Sequence, residues 1–197
     1  MLSSRRGFLT TVLAGPVLPA LLPGLAAGQQ VPMALPTTPE CRDDDAVTIA
    51  EEEGPYFKPN TPLRRDLAVD SPRGERVTLA GYVLDRRCQP TPDALVELWQ
   101  ADETGVYDNE GYRLRGHQLT DGAGRWWFTT IIPGLYSGRT RHYHVKVQRP
   151  GGRVLTTQLY FPDEPRNARD GLFDRRLLLD IRRSADGRFC RYDLVVA

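Results

Sequence analysis

The segment "RVTLAGYVLDRRCQPTPDALVELWQAD", residues 76–102, contains the pattern that decides the fold prediction. Its first part, residues 76–85, alternates apolar side chains with others, as a strand does when one face is buried. Residues 86–93 contain two prolines and predict a turn, after which residues 94–102 resume a strand pattern. The segment therefore predicts a strand, a turn and a second strand, and not a helix.

Similar patterns follow along the rest of the chain. We predict further strands at residues 124–131, 141–148, 153–161 and 187–196. Residues 103–121 are expected to form a long connection, and residues 174–183 can alternatively form one or two helical turns. Short strands separated by Asp-Gly and Pro-Gly turns predict an all-β fold, an antiparallel β-sandwich with an irregular N-terminal arm and long connecting loops.

The N-terminal 28 residues differ in composition from the rest of the chain. Two arginines precede an apolar stretch that prolines interrupt, and "SRRGFL" within it resembles a twin-arginine signal. An apolar stretch this short and broken does not favour a membrane-spanning helix. We therefore expect a signal peptide at residues 1–28, an arm at 29–75 and a β-sandwich domain at 76–197, with export to the periplasm or the extracellular space.

The charge balance bears on the partners of the mature chain. Arg5 and Arg6 are the only charged residues of the leader, so its removal changes the formal net charge from +1 to −1. The net charge is close to zero, and aspartates interrupt the run of arginines at residues 174–186, so the sequence shows no basic patch of the kind that nucleic-acid-binding proteins have. We expect no nucleic-acid partner, and no membrane partner once the leader is removed.

The three cysteines, Cys41, Cys88 and Cys190, lie far apart. They form no C-x-x-C pair, which is the spacing typical of zinc and redox motifs. In an oxidising exported setting we expect one disulfide and one remaining thiol. The spacing does not select which two cysteines pair.

Two of the three histidines stand as His-x-His in the strand predicted at residues 141–148. The period of two places His142 and His144 on one face, about 7 Å apart along the backbone, so both imidazoles can bind one ion. Two tyrosines are nearby in sequence, Tyr107 in the long connection and Tyr136 in a Pro-Gly turn. Phenolate oxygens combined with imidazole nitrogens suit a hard trivalent ion such as iron. Surface histidines and packing tyrosines are the alternative explanation.

Longer motifs surround these residues. They are "EGPYF" at 53–57, "VELWQADETGVYD" at 96–108, "LTDGAGRWWFTTIIPGLY" at 119–136, "GRTRHYH" at 138–144 and "TQLYF" at 157–161. Together they resemble the intradiol ring-cleavage dioxygenases, the family that includes protocatechuate and catechol dioxygenases. The resemblance runs from about Gly54 to Phe161 and continues more weakly to the C-terminus. At this length the long N-terminal helical domain of the catechol-specific members is not expected, so the chain resembles either the protocatechuate members or the compact exported members.

The resemblance implies a function and a cofactor. It implies a non-haem Fe(III) centre held by Tyr107, Tyr136, His142 and His144. It implies dioxygen-dependent cleavage of catechol-type rings between the two hydroxyl-bearing carbons, which gives cis,cis-muconate-type products. Tyr136 would also act in catalysis by accepting a substrate proton. The partners implied are a small catecholic substrate and O2, and a homo-oligomer is compatible with the sequence.

The resemblance implies roles for three neighbouring residues. Arg139 is expected to stabilise negative charge on the bound substrate, and Gln158 to hydrogen-bond the reacting oxygens. Tyr56 is expected to contact substrate at the pocket mouth, with packing of the arm as the alternative. His117 has no ligand counterpart in these motifs and is interpreted as a loop or rim residue.

Two other functions are compatible with parts of the sequence. The Asp-Gly turn and Pro-Gly-x-Tyr corner also resemble the prealbumin-like sandwich modules that serve secreted proteins as non-catalytic binding or structural domains. Those modules do not require Tyr107 or the His-x-His pair. Cupin oxygenases also begin a metal site with His-x-His on a strand, but they usually add a glutamate a few residues on, and "HYHVKVQRPGG" has none.

Overall fold

A computed structural model describes residues 47–184 and 187–197. The predicted leader at residues 1–28 and the first part of the arm lie outside these residues. The strands are β1 (Arg76–Asp85), β2 (Leu95–Trp99), β3 (Arg115–Leu119), β4 (Arg125–Ile131), β5 (His142–Gln148), β6 (Leu155–Tyr160), β7 (Asp180–Ser184), β8 (Gly187–Arg191) and β9 (Leu194–Val196). The helical elements of the described part are short 3-10 turns at Ala68–Asp70, Pro165–Arg169 and Arg175–Leu177, and none is long enough to span a bilayer.

The strands form two sheets. One has the order β4-β1-β8-β7, with β9 also paired to β1, and the other has the order β3-β2-β5-β6. All pairs are antiparallel except β1 with β8 and β1 with β9. The predicted all-β sandwich is confirmed.

The core lies between the two sheets. β4 contributes Trp126 and Phe128, which are fully buried, and β5 contributes Tyr143 and Val145 from the facing sheet. Each such side chain stabilises the fold by roughly 1.5–3 kcal/mol through the apolar surface that it removes from water. The four-stranded sheet thus has one face in the core, which leaves its other face available for a site.

One segment differs from its predicted structure, and a second agrees with it in part. The connection expected at residues 103–121 contains β3, and residues 174–183 contain a 3-10 turn followed by β7. The strand β3 reads Arg-Gly-His-Gln-Leu and has none of the β-branched or aromatic residues that usually indicate a strand. Its pairing with β2 is a tertiary effect that local sequence does not specify.

The described part of the arm connects the edges of both sheets. Leu63 forms a parallel bridge with His117 on β3, and Asp66 forms one with Thr129 on β4. The arm backbone is hydrogen-bonded at several further points, including Leu67 N to Thr129 O at 2.8 Å. Earlier in the arm, the Tyr56 carbonyl accepts a hydrogen bond from the Arg115 guanidinium of β3 at 2.6 Å, which holds Tyr56 against the four-stranded sheet.

The cysteines are in different states. Cys88 is disulfide-bonded, whereas Cys190 is a free thiol buried in the core. The expectation of one disulfide and one remaining thiol is confirmed on these two residues. Cys41 lies outside the described residues.

Candidate metal centre

The predicted ligands from β5 lie on the outer face of the four-stranded sheet. His142 and His144 alternate with Tyr143 and Val145, which point into the core. Strand register places Gln158 of β6 directly opposite His144. The two imidazoles therefore share a face with the predicted substrate-binding amide.

Four predicted ligands meet on this face. Tyr107 Oη is 3.3 Å from His142 Nε2, and the Nε2 atoms of His142 and His144 are 3.1 Å apart. Tyr136 joins them through its ring, which lies perpendicular to that of Tyr107 at a centroid distance of 5.6 Å. Among the described residues no three His, Cys, Asp or Glu side chains form a metal-binding group, so a metal centre here depends on the tyrosine oxygens.

The hydrogen bonding of the histidines fits a bound cation. His142 Nδ1 is 2.7 Å from the Thr140 carbonyl oxygen, which assigns its proton to Nδ1 and leaves a lone pair on Nε2. His144 Nδ1 is buried and has no partner, so either tautomer of His144 leaves one ring nitrogen unsatisfied. Two nitrogens that bind one ion at about 2.1 Å and a right angle lie about 3.0 Å apart. The donor set therefore fits a metal ion shared by both Nε2 atoms.

Burial sets the protonation states of the ligands. It lowers the pKa of His142 to about 4, although the hydrogen bond to the Thr140 carbonyl opposes the shift. Burial also lowers the pKa of His144, with a further contribution from His142. Both imidazoles are neutral at pH 7 and available as ligands. Burial raises the pKa of the Tyr107 phenol against the opposing charges of Arg139 and Arg115, so a bound cation is needed to make it a phenolate.

Tyr56 lies inside the cluster and contacts both tyrosines that are candidate ligands. Its ring stacks on Tyr107 at a centroid distance of 4.6 Å, and its hydroxyl is 2.7 Å from the Tyr136 hydroxyl. That hydrogen bond is the largest cause of the raised pKa of Tyr56. The residue predicted to contact substrate is thus also a hydrogen-bonding partner of a candidate ligand.

Arg115 is a supporting residue that the motifs did not identify. Its guanidinium is fully buried and donates to the carbonyl oxygens of Tyr56 at 2.6 Å and of Asp108 at 2.9 Å. It thereby joins the segments that carry Tyr56 and Tyr107. The arginine is 59 residues from Tyr56, so no local pattern could have indicated the contact.

Arg139 and Gln158, the two residues predicted to contact the reacting part of the substrate, are in direct contact. Arg139 Nη2 donates to Gln158 Oε1 at 2.7 Å, and Arg139 Nε donates to Asp170 Oδ2 at the same distance. The Asp170 side chain is 2% exposed, and the same oxygen accepts the Thr140 backbone N–H at 2.7 Å. Asp170 therefore holds both the arginine and the backbone that orients His142. The sequence motifs did not identify Asp170. The glycine that follows it indicates a turn, and this is the only local pattern at that position.

His117 lies on β3 and not in a loop as predicted. Its Nδ1 is 3.2 Å from Thr61 Oγ1, and its strand partner is Glu97. The loop alternative was wrong because β3 itself was not recognised, whereas the alternative of a rim residue stays a prediction. The residue contacts the arm and none of the four candidate ligands among its described hydrogen bonds.

A family model and several known proteins match this chain. A family model described as "Dioxygenase" matches residues 52–196. The chain is similar to the protocatechuate 3,4-dioxygenase beta chain of Burkholderia cepacia, at 34% identity over 57% of each chain. It is also similar to the hydroxyquinol 1,2-dioxygenase of a Rhizobium species, at 28% identity over 68% of this chain and 55% of that protein.

A solved structure extends the comparison to the fold. The dioxygenase domain of a dioxygenase–carbohydrate-binding fusion from Streptomyces sp. SirexAA-E matches with a TM-score of 0.75 and 50% identity. The match covers 77% of this chain and 98% of that domain. By contrast, the chain spans 57% and 55% of the lengths of the Burkholderia and Rhizobium proteins.

Proposed function

The chain belongs to the intradiol ring-cleavage dioxygenase family, and on that premise we propose that it cleaves catechol-type rings between their hydroxyl-bearing carbons with O2. The products would be of the cis,cis-muconate type. The cofactor would be a non-haem ferric ion held by Tyr107, Tyr136, His142 and His144. One observation carries the proposal: three candidate ligand atoms lie together. His142 Nε2 is 3.3 Å from Tyr107 Oη and 3.1 Å from His144 Nε2.

The donor set explains the choice of ion. Two neutral imidazoles and two phenolates provide anionic oxygen ligands that suit Fe(III) better than zinc or copper(I). When bound, the ferric ion would supply Lewis acidity and withdraw electron density from the ring of a catecholate. The protein supplies the geometry, the neutral imidazoles and the groups that receive protons.

Tyr136 is the residue that we assign to accept a substrate proton at its Oη. It is partly exposed, whereas Tyr107 is 6% exposed and enclosed by Tyr56 and the histidines. The Tyr56 hydroxyl at 2.7 Å can stabilise Tyr136 Oη in either protonation state, since a hydroxyl both donates and accepts. Proton transfer to Tyr136 therefore needs little rearrangement of the surrounding residues.

Arg139 and Gln158 provide the polar contacts for the substrate. The guanidinium stabilises negative charge on the ring, and its orientation is fixed by the two hydrogen bonds to Asp170 and Gln158. The Gln158 amide is itself held, because Nε2 donates to the Glu52 carbonyl at 3.0 Å. Preorganised donors of this kind lower the barrier without reorganisation during the reaction.

The first experiment measures metal and activity together. We expect purified protein to contain stoichiometric iron and to absorb visible light through tyrosinate-to-iron charge transfer. It should consume O2 with catechol and release a muconate-type product. A colourless protein with stoichiometric ferric iron would refute the tyrosine ligands. A protein that binds no iron would instead support a prealbumin-like binding module.

A matched pair of variants tests the ligand assignment. Tyr107→Phe should lose the visible band and most iron, because it removes a buried ligand oxygen. Tyr112→Phe should retain both, because the Tyr112 hydroxyl donates to the Pro59 carbonyl and contacts none of the ligands in its described hydrogen bonds. Retention of iron and colour by Tyr107→Phe would remove that residue from the metal centre.

We also propose that the chain is exported through the leader at residues 1–28. The disulfide at Cys88 supports this, since disulfides persist in oxidising compartments. Replacing both Arg5 and Arg6 by lysine should retain the full chain in the cytoplasm. If fractionated cells contain equal amounts of the wild-type protein and of this double variant in the periplasm, the twin-arginine assignment is contradicted.

A further inference from the structure

The two candidate histidine ligands are held in place by different contacts. A hydrogen bond fixes the His142 ring, since its Nδ1 lies 2.7 Å from the Thr140 carbonyl oxygen. His144 Nδ1 is buried and has no hydrogen-bond partner. A hydrogen bond on the second ring nitrogen usually orients a histidine that binds a metal. The orientation of the His144 ring must therefore come from packing.

The packing surface is the indole of Trp99. Strand register places Trp99 of β2 directly opposite His144 of β5. The two rings are stacked, with a centroid distance of 4.8 Å and an angle of 8° between their planes. Trp99 is fully buried, and its Nε1 has no hydrogen-bond partner. The indole therefore offers His144 a flat ring face and not a hydrogen bond.

Two residues of the arm enclose this pair of rings. The Phe57 ring packs against Trp99 at a centroid distance of 5.1 Å and an angle of 62°. Lys146 in turn lies over Phe57, with its Nζ 3.2 Å from the ring centroid. Gly54 adjoins the imidazole itself, because a Cβ atom there would be 3.3 Å from His144 Cε1. These contacts limit the space in which either ring could turn.

We infer that Trp99 is a positioning residue for His144, whose ring it holds so that Nε2 faces the Nε2 atom of His142 at 3.1 Å. The inference rests on the proposed iron-dependent function of the same site. Its physical basis is that the torsion which turns an imidazole ring is soft, so a ring without a hydrogen bond keeps its direction only where neighbours restrict it. A parallel aromatic plane in contact with the ring imposes that restriction.

The test removes the indole face and measures iron affinity by competition with a chelator, corrected for the folded fraction. Trp99→Met fills the space with a flexible side chain and should lower iron affinity about 10- to 100-fold, the range found for residues that orient a metal ligand. Trp99→Phe keeps an aromatic ring and should bind iron within about threefold of wild type. The visible tyrosinate-to-iron band should shift or weaken in Trp99→Met and stay unchanged in Trp99→Phe.

Trp126→Met is the matched control. Trp126 is also fully buried, and its Nε1 also has no hydrogen-bond partner, but it packs in the core between the two sheets. Its described ring contact is with Phe128. Trp126→Met should destabilise the fold, yet the molecules that remain folded should bind iron as the wild type does.

Phe57→Leu tests the same contact without a change inside the sheet. Phe57 is partly buried, and its loss gives Trp99 room to move, so iron affinity should fall by about three- to tenfold. Wild-type affinity in Trp99→Met, or equal losses in Trp99→Met and Trp126→Met, would overturn the inference. If Trp99→Met does not fold, wild-type affinity in Phe57→Leu would overturn it instead. Iron binding by the wild type without ring cleavage would contradict the proposed function and leave the inference standing.

Discussion

The two faces of the four-stranded sheet differ in what they bury. Along β5 both are closed to solvent, since Tyr143 and Val145 on the inner face are 0% exposed and His142 and His144 on the outer face are 4% exposed. The inner face buries apolar surface, which stabilises the fold. The outer face buries imidazole, phenol and guanidinium groups, which costs free energy unless each has a partner. Residues of β5 therefore alternate between two roles: those on the inner face stabilise the fold, and those on the outer face form the candidate site.

The difference can be tested on adjacent residues of β5. We expect His144→Ala to lower ring-cleaving activity by at least about 10³-fold, equivalent to about 4 kcal/mol, because it removes a ligand of the proposed iron. Iron content should fall with activity. The free energy of unfolding of the metal-free protein should change little, since one nitrogen of His144 is unsatisfied in the native state. Retained iron and activity would contradict the assignment.

The neighbouring inner-face residue should behave in the opposite way. Tyr143→Ala should destabilise the metal-free protein by about 3–5 kcal/mol, because it leaves a cavity in the core and removes the hydrogen bond from the Tyr143 hydroxyl to the Ile131 carbonyl. Denaturant unfolding measures the loss. The fraction that remains folded should still bind iron, and a specific loss of iron without destabilisation would break the proposed separation of the two faces.

Sequence patterns predicted the strands that form the inner face better than they predicted the residues that hold the outer-face side chains in place. Strands such as β1 and β5 were predicted because a buried face leaves a period of two in the sequence. The candidate ligands were identified because they stand in recognisable motifs. Arg115 and Asp170 act through contacts with residues 59 and 31 positions away, and such contacts leave no local pattern. The strand β3 was missed for the same reason.

Asp170 supports the outer face without contacting a candidate ligand directly in its described hydrogen bonds. Asp170→Asn should lower kcat/KM by about 10- to 100-fold, because the neutral amide loses the charge that pairs with Arg139, and its NH2 group cannot accept the Leu172 N–H in place of Oδ1. Iron content and the visible band should be retained. Asp180→Asn, at an exposed pair with Arg182, is the matched control and should be silent. If Asp170→Asn loses activity only in proportion to its loss of iron, then Asp170 acts in retaining the metal and not in positioning Arg139.

The smallest expected effect concerns Cys190, a titratable group placed within the apolar core. Burial raises the pKa of this thiol from 9.0 to about 12, so the folded protein keeps it protonated where the unfolded chain ionises it. The stability that results is complete below pH 9 and is lost as the pH rises toward 12. Between pH 8 and pH 10 this thiol should account for a loss of about 1 kcal/mol in the free energy of unfolding. The difference between wild type and Cys190→Ala isolates it from the buried tyrosines, which titrate in both proteins. If that difference does not change with pH, Cys190 is reached by solvent, and the core is less completely closed than the outer face that carries the ligands.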